Sequence, residues 1–135
     1  MILVDSSVLI DHLRGTSNVQ TEQLARWLSG REGPPDIGVA DLVVFEVVRG
    51  FQTAGVQVRA RDLLLALEVV EIGGLDNALQ AATLYRRLRQ TGRTVRSPID
   101  VLLASYCMTH RHTLLHRDAD FDALKALGGL DTWPR

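Results

Sequence analysis

The stretch MILVDSSVLIDHLR at residues 1–14 decides the fold, because it joins a short buried strand directly to a helix. Its apolar start ends at Asp5, and the hydroxyl residues Ser6 and Ser7 follow. Apolar residues at helical spacing then continue until Gly15 ends the helix. A strand that leads directly into a helix is typical of α/β folds. The stretch therefore predicts an α/β protein with an acidic side chain at the carboxyl end of its first strand, the edge where open α/β sheets bind ligands.

The rest of the chain alternates in the same way between short β-like runs and helical segments, which predicts a single domain over residues 1–135. Strands are predicted at 2–4, 37–39, 68–72 and 113–115, and a loop at 30–35. Helices are predicted at 6–14, 19–28, 42–52, 63–67, 75–89, 98–110 and 121–127, with Asp41 as the N-cap of the third. The helix at 75–89 is expected to bury one apolar face, made of Leu75, Ala78, Leu79, Ala82, Tyr85 and Leu88. Strands separated by helices pair in parallel.

Composition narrows the classes of function. The chain has 135 residues, 46% of them hydrophobic, which suits one core of ordinary size. Its formal net charge is -1, so it has no broad positive field, and any contact with nucleic acid must be local. The single Cys107 cannot form a disulfide within the chain, and the sequence has no secretory signal or membrane-spanning run. A cytoplasmic protein without membrane contact is therefore expected.

Two acidic residues stand where the pattern joins a strand to a helix or should bury its side chains. Asp5 could cap the first helix, although Ser6 and Ser7 could do so too and leave its carboxylate free. Glu46 lies among apolar residues on a predicted helix, where a bare carboxylate costs on the order of several kcal/mol. An ion pair with Arg49, three residues further on, is its ordinary structural alternative. Both acids therefore remain open to a structural and to a functional role.

Two further acids lie near predicted helix starts. Asp100 is the third residue after Ser97, a spacing that matches a capping box with proline at the first helical position. Asp118 follows the last predicted strand and could cap the last helix, as could Asp120 and Asp122. A helix start at the carboxyl edge of the sheet also directs a side chain toward the pocket at that edge.

The four acids together carry more weight than any one of them. A parallel sheet gathers strand ends and helix starts at one edge, so Asp5, Asp100 and Asp118 should converge there. Glu46 would arrive on a helix. Clustered carboxylates repel unless protons or cations intervene, and hard divalent cations such as Mg²⁺ or Mn²⁺ prefer oxygen ligands. Such a centre can polarise a phosphoryl oxygen and activate water, which predicts metal-dependent phosphodiester hydrolysis.

Four short motifs in this order resemble the PIN-domain family, most closely the VapC-type toxins of bacterial type II toxin–antitoxin modules. The motifs are Asp5-Ser6-Ser7 after the first strand, Glu46 in an apolar helix, Ile99-Asp100 at a helix start, and Leu114-Leu115-His116-Arg117-Asp118-Ala119-Asp120-Phe121. The resemblance covers essentially the entire chain. It implies a three-layer α/β/α sandwich with a central, mainly parallel sheet of four to five strands. It also implies an endoribonuclease that cleaves a structured or single-stranded RNA loop through water activated by Mg²⁺ or Mn²⁺.

The same resemblance implies roles for individual residues. The catalytic quartet would consist of Asp5, Glu46, Asp100 and Asp118. The metal ligands among them would be Asp5, Asp100 and Asp118. Three residues would support them: Ser6 through Asp5 or a water molecule, Asp120 through water, and His116 at a position where relatives often carry threonine. His116 could orient the acids by hydrogen bonding, or it could add pH sensitivity near neutral.

Partners also follow from the resemblance. It implies an RNA substrate, a homodimer and a VapB-like antitoxin whose apolar helix lies in a groove and obstructs the site. Operator DNA would be bound only through the toxin–antitoxin complex. Candidates to hold RNA phosphates are Arg93, Arg96 and Arg117. The alternative for arginines after a helix is to face solvent and complement the helix dipole.

Three other functions compete with this one. A phosphoacceptor receiver domain is also α/β with an acidic pocket, but it needs a further early acid pair and a lysine at a strand end. The only lysine, Lys125, lies in a predicted helix. A haloacid-dehalogenase-like phosphatase with Asp5 as nucleophile needs a second acid two residues on, where Ser7 stands. A zinc site made of Cys107 and the histidines near it does not match the common structural spacings.

Overall fold

A five-stranded parallel sheet lies at the centre of the structure, a computed structural model that describes residues 1–31 and 35–135. The predicted loop at 30–35 falls partly outside these residues. The strands are β1 (Ile2–Val4), β2 (Ile37–Ala40), β3 (Glu68–Val70), β4 (Thr113–Leu115) and β5 (Asp131–Trp133). Their order is β3-β2-β1-β4-β5, and each neighbouring pair is parallel. The predicted α/β fold with a mainly parallel sheet is confirmed.

Seven helices in the described part of the chain cover the sheet. They are α1 (Ser6–Arg14), α2 (Val19–Leu28), α3 (Asp41–Arg49), α4 (Ala54–Leu65), α5 (Leu75–Gln90), α6 (Pro98–His110) and α7 (Asp120–Ala126). Helix α1 contacts α2, α3 and α4, while α6 contacts α5 and α7. Right-handed crossovers put α1 to α4 on one face of the sheet and α5 to α7 on the other, which gives the predicted three layers. Among the described residues, no helix is long and apolar enough to cross a membrane.

The central strands are buried on both faces. Leu3 and Val4 of β1 and Leu114 and Leu115 of β4 have no exposed surface. A strand covered on both faces reads as a continuous apolar run, without polar alternation. That is why so few residues were enough to identify these two strands in the sequence.

One strand was not predicted. Residues Asp131–Trp133 form β5 at the edge of the sheet beside β4. The three residues are exposed, buried and partly buried in turn, and the buried residue is the polar Thr132. The strand therefore has no apolar run by which it could be recognised in the sequence. An edge strand does not need one. The strand predicted at 68–72 is real but ends at Val70.

Two helix boundaries also correct the sequence prediction. Helix α3 begins at Asp41 itself, so Asp41 is not its N-cap, and the helix ends sooner than predicted. The Asp41 carboxylate instead accepts hydrogen bonds from the backbone N–H groups of Leu42, at 2.9 Å, and Ile72, at 3.1 Å. These bonds tie α3 to the segment after β3. The helix predicted at 63–67 overlaps only the end of α4, which runs from Ala54 to Leu65. The earlier turns of α4 bury too few side chains to show an apolar period.

The predicted apolar face of α5 is largely wrong. The helix buries Ala81, Leu84 and Leu88 against the protein, while Leu75 and Leu79 are exposed. Tyr85 is exposed as well, at the edge of the same stripe. The helix therefore has apolar residues on two sides, and only one side contacts the core. We call the exposed residues Leu75, Leu79 and Tyr85 the α5 stripe.

Neighbouring leucines of α4 provide a matched test of this packing. Leu64 is 1% exposed and Leu65 is 74% exposed. Leu64→Ala should lower the free energy of unfolding by about 2–5 kcal/mol, because it leaves a cavity in the core. Leu65→Ala should change it by no more than about 0.5 kcal/mol. Urea unfolding followed by circular dichroism measures both, and equal effects of the two substitutions would contradict the assigned burial.

Candidate active site

The site lies where the order of the strands reverses direction. In the sheet, β2 and β3 lie on one side of β1, and β4 and β5 lie on the other. Val4 lies opposite Leu115, and the Asp5 N–H donates to the Leu115 carbonyl oxygen at 2.9 Å. Asp5 and the loop after β4 therefore leave the sheet side by side. Ligands of open α/β sheets bind at such a topological switch point.

Asp5 has both of the roles that its sequence position left open. It is the N-cap of α1, and its Oδ2 accepts hydrogen bonds from the Ser7 N–H at 3.1 Å and the Ser7 hydroxyl at 2.6 Å. Its Oδ1 is buried and has no hydrogen-bond partner among the described residues. Burial raises the pKa of this carboxyl above its ordinary value. One oxygen thus holds the helix start, and the other remains available to a ligand.

Ser7 is a site residue that the sequence pattern did not single out. Its hydroxyl donates to Asp5 and accepts from the backbone N–H of Arg117 at 3.1 Å. This bond links the end of β1 to the loop after β4. The side-chain hydrogen bond to Asp5 thus comes from Ser7, while the Ser6 hydroxyl acts on the Glu46 carboxyl. Aspartate side chains commonly accept the backbone N–H two residues further on, and that spacing was the signal available in the sequence.

Glu46 lies on α3 with its Oε1 buried and unpartnered among the described residues. The ion pair with Arg49, the structural alternative left open by the sequence, does not occur among the described residues. The Arg49 guanidinium lies over the Phe45 ring, 5.2 Å from its centroid. Burial raises the pKa of the Glu46 carboxyl, and the Asp5 carboxylate raises it further. Arg49 and the Ser6 hydroxyl act in the opposite direction.

Asp100, Asp118 and Asp120 form the tightest acidic group, with one carboxylate oxygen from each lying within 4.8 Å of the others. The N-cap of α6 is Ser97, whose hydroxyl accepts the Ile99 N–H at 3.3 Å. Because this cap does not use the buried Asp100 carboxylate, that carboxylate is free to face the group. Burial, and then the charges of the neighbouring carboxylates, raise the pKa of Asp100 to about 8.

His116 holds the loop that carries Asp118. Its Nδ1 accepts the Asp118 N–H at 3.2 Å, and its ring packs on Phe121 with centroids 4.9 Å apart. A ring nitrogen that accepts a hydrogen bond carries no proton. Burial lowers the pKa of His116, which also favours the neutral ring. Asp118 Oδ1 in turn accepts the Asp120 N–H at 3.0 Å, so the loop is fixed at both residues.

The zinc alternative finds no support in the described residues. The metal-ligand group found there consists of carboxylates alone. Cys107 is buried in the core, and burial raises its pKa to about 12. His110 and His112 lie with Tyr106 in an aromatic cluster.

The three candidate RNA-binding arginines lie in different surroundings. Arg96 pairs with Asp118 at 3.4 Å and with Asp120 at 3.3 Å, although its side chain is 82% exposed. Arg117 pairs with Asp11 at 3.2 Å, and Arg93 is exposed. Exposed ion pairs contribute little to stability, so Arg96 can exchange its partners readily.

These residues fit a divalent metal ion with oxygen ligands. Five carboxylates are coupled through their charges at one edge of the sheet: Asp5, Glu46, Asp100, Asp118 and Asp120. Two of their oxygens are buried without a partner among the described residues. Buried, mutually repelling carboxylates of this kind require protons or cations, and Mg²⁺ and Mn²⁺ prefer oxygen donors.

Known proteins are similar to this chain in sequence over nearly its whole length. Ribonuclease VapC11 of Mycobacterium tuberculosis and VapC ribonuclease Mb1587 of Mycobacterium bovis are each 29% identical to this chain over 130 residues. Each match covers 96% of this chain and 96% of the relative.

Solved structures agree on the fold. VapBC2 of Rickettsia felis, bound to a DNA fragment from its promoter, matches with a TM-score of 0.75 and 17% identity, over 98% of this chain and 97% of that one. VapC20 of Mycobacterium tuberculosis, a toxin that cleaves the sarcin–ricin loop, matches with a TM-score of 0.68 and 18% identity, over 97% and 98%. At these identities the likeness establishes the fold alone.

The family assignment rests on a match that spans most of the chain. The PIN domain family matches residues 2–127, a range that contains all five carboxylates of the site. The resemblance seen in the sequence motifs is thereby confirmed: the chain belongs to the PIN-domain family.

Proposed function

We propose that this protein is a metal-dependent endoribonuclease and acts in the cytoplasm as the toxin of a type II toxin–antitoxin module. The observation that carries the proposal is the convergence of Asp5, Glu46, Asp100 and Asp118 at the switch point between β1 and β4. Buried oxygens of Asp5 and Glu46 have no hydrogen-bond partner among the described residues. The relatives named as VapC ribonucleases support the same activity. The whole of residues 1–135 would act as one domain.

Asp5, Asp100 and Asp118 are the proposed metal ligands, and Asp120 lies close enough to contribute through water. When bound there, Mg²⁺ or Mn²⁺ would supply Lewis-acid polarisation of the phosphoryl oxygen and activate the attacking water. Ser7 keeps Asp5 oriented, and His116 keeps the backbone before Asp118 in place.

Glu46 is the proposed general base. Its partly buried carboxyl has a raised pKa, which makes it a better proton acceptor than an exposed glutamate. In the hydrolytic step it takes a proton from water while the water oxygen bonds to phosphorus. The bond from phosphorus to the leaving ester oxygen breaks, and that oxygen gains a proton from solvent.

Arg93, Arg96 and Arg117 are proposed to hold RNA phosphates at the rim of the site. Arg96 would exchange Asp118 and Asp120 for a phosphate when a metal ion neutralises those carboxylates. The receiver-domain alternative gains nothing from the site, because Lys125 donates to Thr132 Oγ1 and not to the acidic group.

Replacement of the acids tests the catalytic assignment. Asp5→Asn and Asp100→Asn should each reduce Mg²⁺-dependent cleavage of RNA more than about 100-fold, because losing an outer partner of a metal site already costs roughly 10- to 100-fold. Asp62→Asn, at an exposed position of α4, is the matched control and should cleave normally. Cleavage ends mapped on total RNA, with circular dichroism to check folding, measure the effect. Robust cleavage by both folded variants would refute the assignment.

The acidic group also predicts a pH dependence of the metal-free protein. The pKa of Asp100 is raised from 3.8 to about 8, so between these values the folded state holds a proton that the unfolded chain releases. The free energy of unfolding should therefore fall as pH rises through this window. Asp100→Asn should flatten that slope, and Asp62→Asn should not. Urea unfolding in EDTA measures it, and an unchanged slope in Asp100→Asn would show that the pH dependence does not arise from Asp100.

An apolar groove between α3 and α4 is the proposed docking site for the antitoxin. The groove has a volume of about 750 Å³, and its apolar walls include Phe45, Val48 and Leu65, with Arg49 and Arg61 at its sides. Phe45 and Leu65 are mostly exposed, and such apolar patches with polar rims mark interaction sites. An amphipathic helix with acidic flanks would suit it. Because α3 also carries Glu46, a helix seated there lies beside the active site.

The α5 stripe is the proposed homodimer surface, and it lies on the opposite layer of the sandwich from the groove. Operator DNA would be bound only by the complex with the antitoxin, as the DNA-bound VapBC2 structure suggests by analogy. The two apolar surfaces therefore have separate proposed occupants.

One substitution on each surface tests the two proposed interactions independently. Leu65→Asp should weaken binding of the proposed VapB-like antitoxin at least about tenfold, since it places a charge in the apolar groove. RNA cleavage should persist. Leu79→Asp is the matched control: it should leave that binding intact and reduce self-association, measured by light scattering after gel filtration. Unchanged partner binding by Leu65→Asp would exclude the groove.

A further inference from the structure

A second cleft adjoins the acidic site on the side of α7 and β5. It has a volume of about 450 Å³, and its walls include Asp118, His116, Arg117, Lys125 and Trp133. We call it the α7–β5 cleft. Asp118 belongs both to this cleft and to the tight acidic group, so the cleft borders the acidic group at that residue.

The cleft has an anchored cation. Lys125 is the only lysine of the chain, and its ammonium donates to Thr132 Oγ1 at 2.9 Å. Thr132 is buried and lies within 3.3 Å of the Pro134 carbonyl oxygen, so the acceptor is itself fixed. Lys125 forms no ion pair within the described residues. An ammonium has three donors, and two of them remain for a ligand in the cleft.

The cleft also has a fixed aromatic wall. Trp133 packs against Trp27 in an edge-to-face arrangement, with ring centroids 5.8 Å apart and an angle of 71° between the planes. This contact holds the indole of β5 in place at the cleft. Aromatic side chains beside a cationic groove are the combination that binds unpaired nucleotides, because bases stack on the ring and phosphates meet the cation.

We propose that the α7–β5 cleft binds the nucleotide next to the scissile phosphate, with its base on Trp133 and its phosphate on Lys125. The proposal rests on the endoribonuclease function proposed above. A cleft of this volume suits one small ligand, and a base that stacks there must first leave any base pair. The cleft therefore selects RNA that is unpaired beside the cut, and stacking makes the choice of base at this position permissive.

Binding to a non-cleaving background tests the role of Lys125. In the Asp100→Asn protein with Mg²⁺, Lys125→Met should weaken binding of a fluorescein-labelled, unstructured oligoribonucleotide about fivefold and reduce the salt slope by about 0.7, as expected for one phosphate contact. Lys125→Arg should restore most of both. Arg59→Met, at an exposed position of α4 outside the cleft, is the matched control and should change neither.

Fluorescence gives an independent readout from the aromatic wall. The chain has two tryptophans, so Trp27→Phe leaves Trp133 as the only one. Its emission should be quenched when the unlabelled oligoribonucleotide binds, and by less when an abasic oligomer of the same length binds. Trp133→Phe leaves Trp27, which does not line the cleft, and its emission should change little. This measurement tests base stacking on Trp133 even if Lys125→Met does not fold.

The two proposals fail in different ways. Cleavage of RNA by the native protein, with neither the Lys125 effect nor quenching of Trp133, would overturn the cleft and leave the nuclease standing. Quenching of Trp133 and the Lys125 effect, without any Mg²⁺- or Mn²⁺-dependent cleavage by the native protein, would support an RNA-binding cleft and overturn the nuclease. Quenching by duplex RNA equal to that by unpaired RNA would overturn the selectivity.

Discussion

The parallel pairing of β1 with β4 is the constraint on which the site depends. Val4 faces Leu115 in this register, and the backbone of Asp5 is hydrogen-bonded to the Leu115 carbonyl. The two strand ends therefore present Asp5 and Asp118 at the same edge. A slip of one residue would turn the buried side chains of β4 to the wrong faces, so burial also fixes the geometry of the acids. The helices then add the other carboxylates: Glu46 lies on α3, Asp100 on α6 and Asp120 at the start of α7.

The buried carboxylates that form the site lower the stability of the fold. Buried carboxylate oxygens without partners are unfavourable, and they persist because the surrounding core holds their backbone in place. The protein offsets part of this cost with small local contacts: Ser7 on Asp5, His116 on the backbone of Asp118, and Arg96 across the partly buried Asp118 and Asp120. None of these contacts occupies the buried oxygens of Asp5 and Glu46. A cation bound at the centre of the site would therefore stabilise the buried oxygens of Asp5 and Glu46 most.

The elements that could be predicted from the sequence are those in which one physical demand dominates. The apolar runs of β1 and β4 were predictable because both faces are buried, and Glu46 was conspicuous because its neighbours are apolar. Other features could not be predicted, because the sequence allows two equivalent arrangements and only tertiary contacts determine which one forms. Helix α5 has apolar residues on two sides, and only packing decides which side faces the core. Ser7 and Ser6 offer the same hydroxyl, and the turn at Asp5 decides which one donates. Strand β5 is an edge strand without an apolar run.

The order of these elements along the chain has a consequence for the cell that makes the protein. The hydrogen bond between Ser7 and Arg117 joins residues 110 positions apart, and β4 must insert beside β1 before it can form. Chains emerge from the ribosome N-terminus first. A nascent chain therefore holds no complete acidic centre until the segment containing Asp118 has left the exit tunnel. The ribosome, itself built of RNA, is thus never attached to a short nascent fragment that carries the assembled centre.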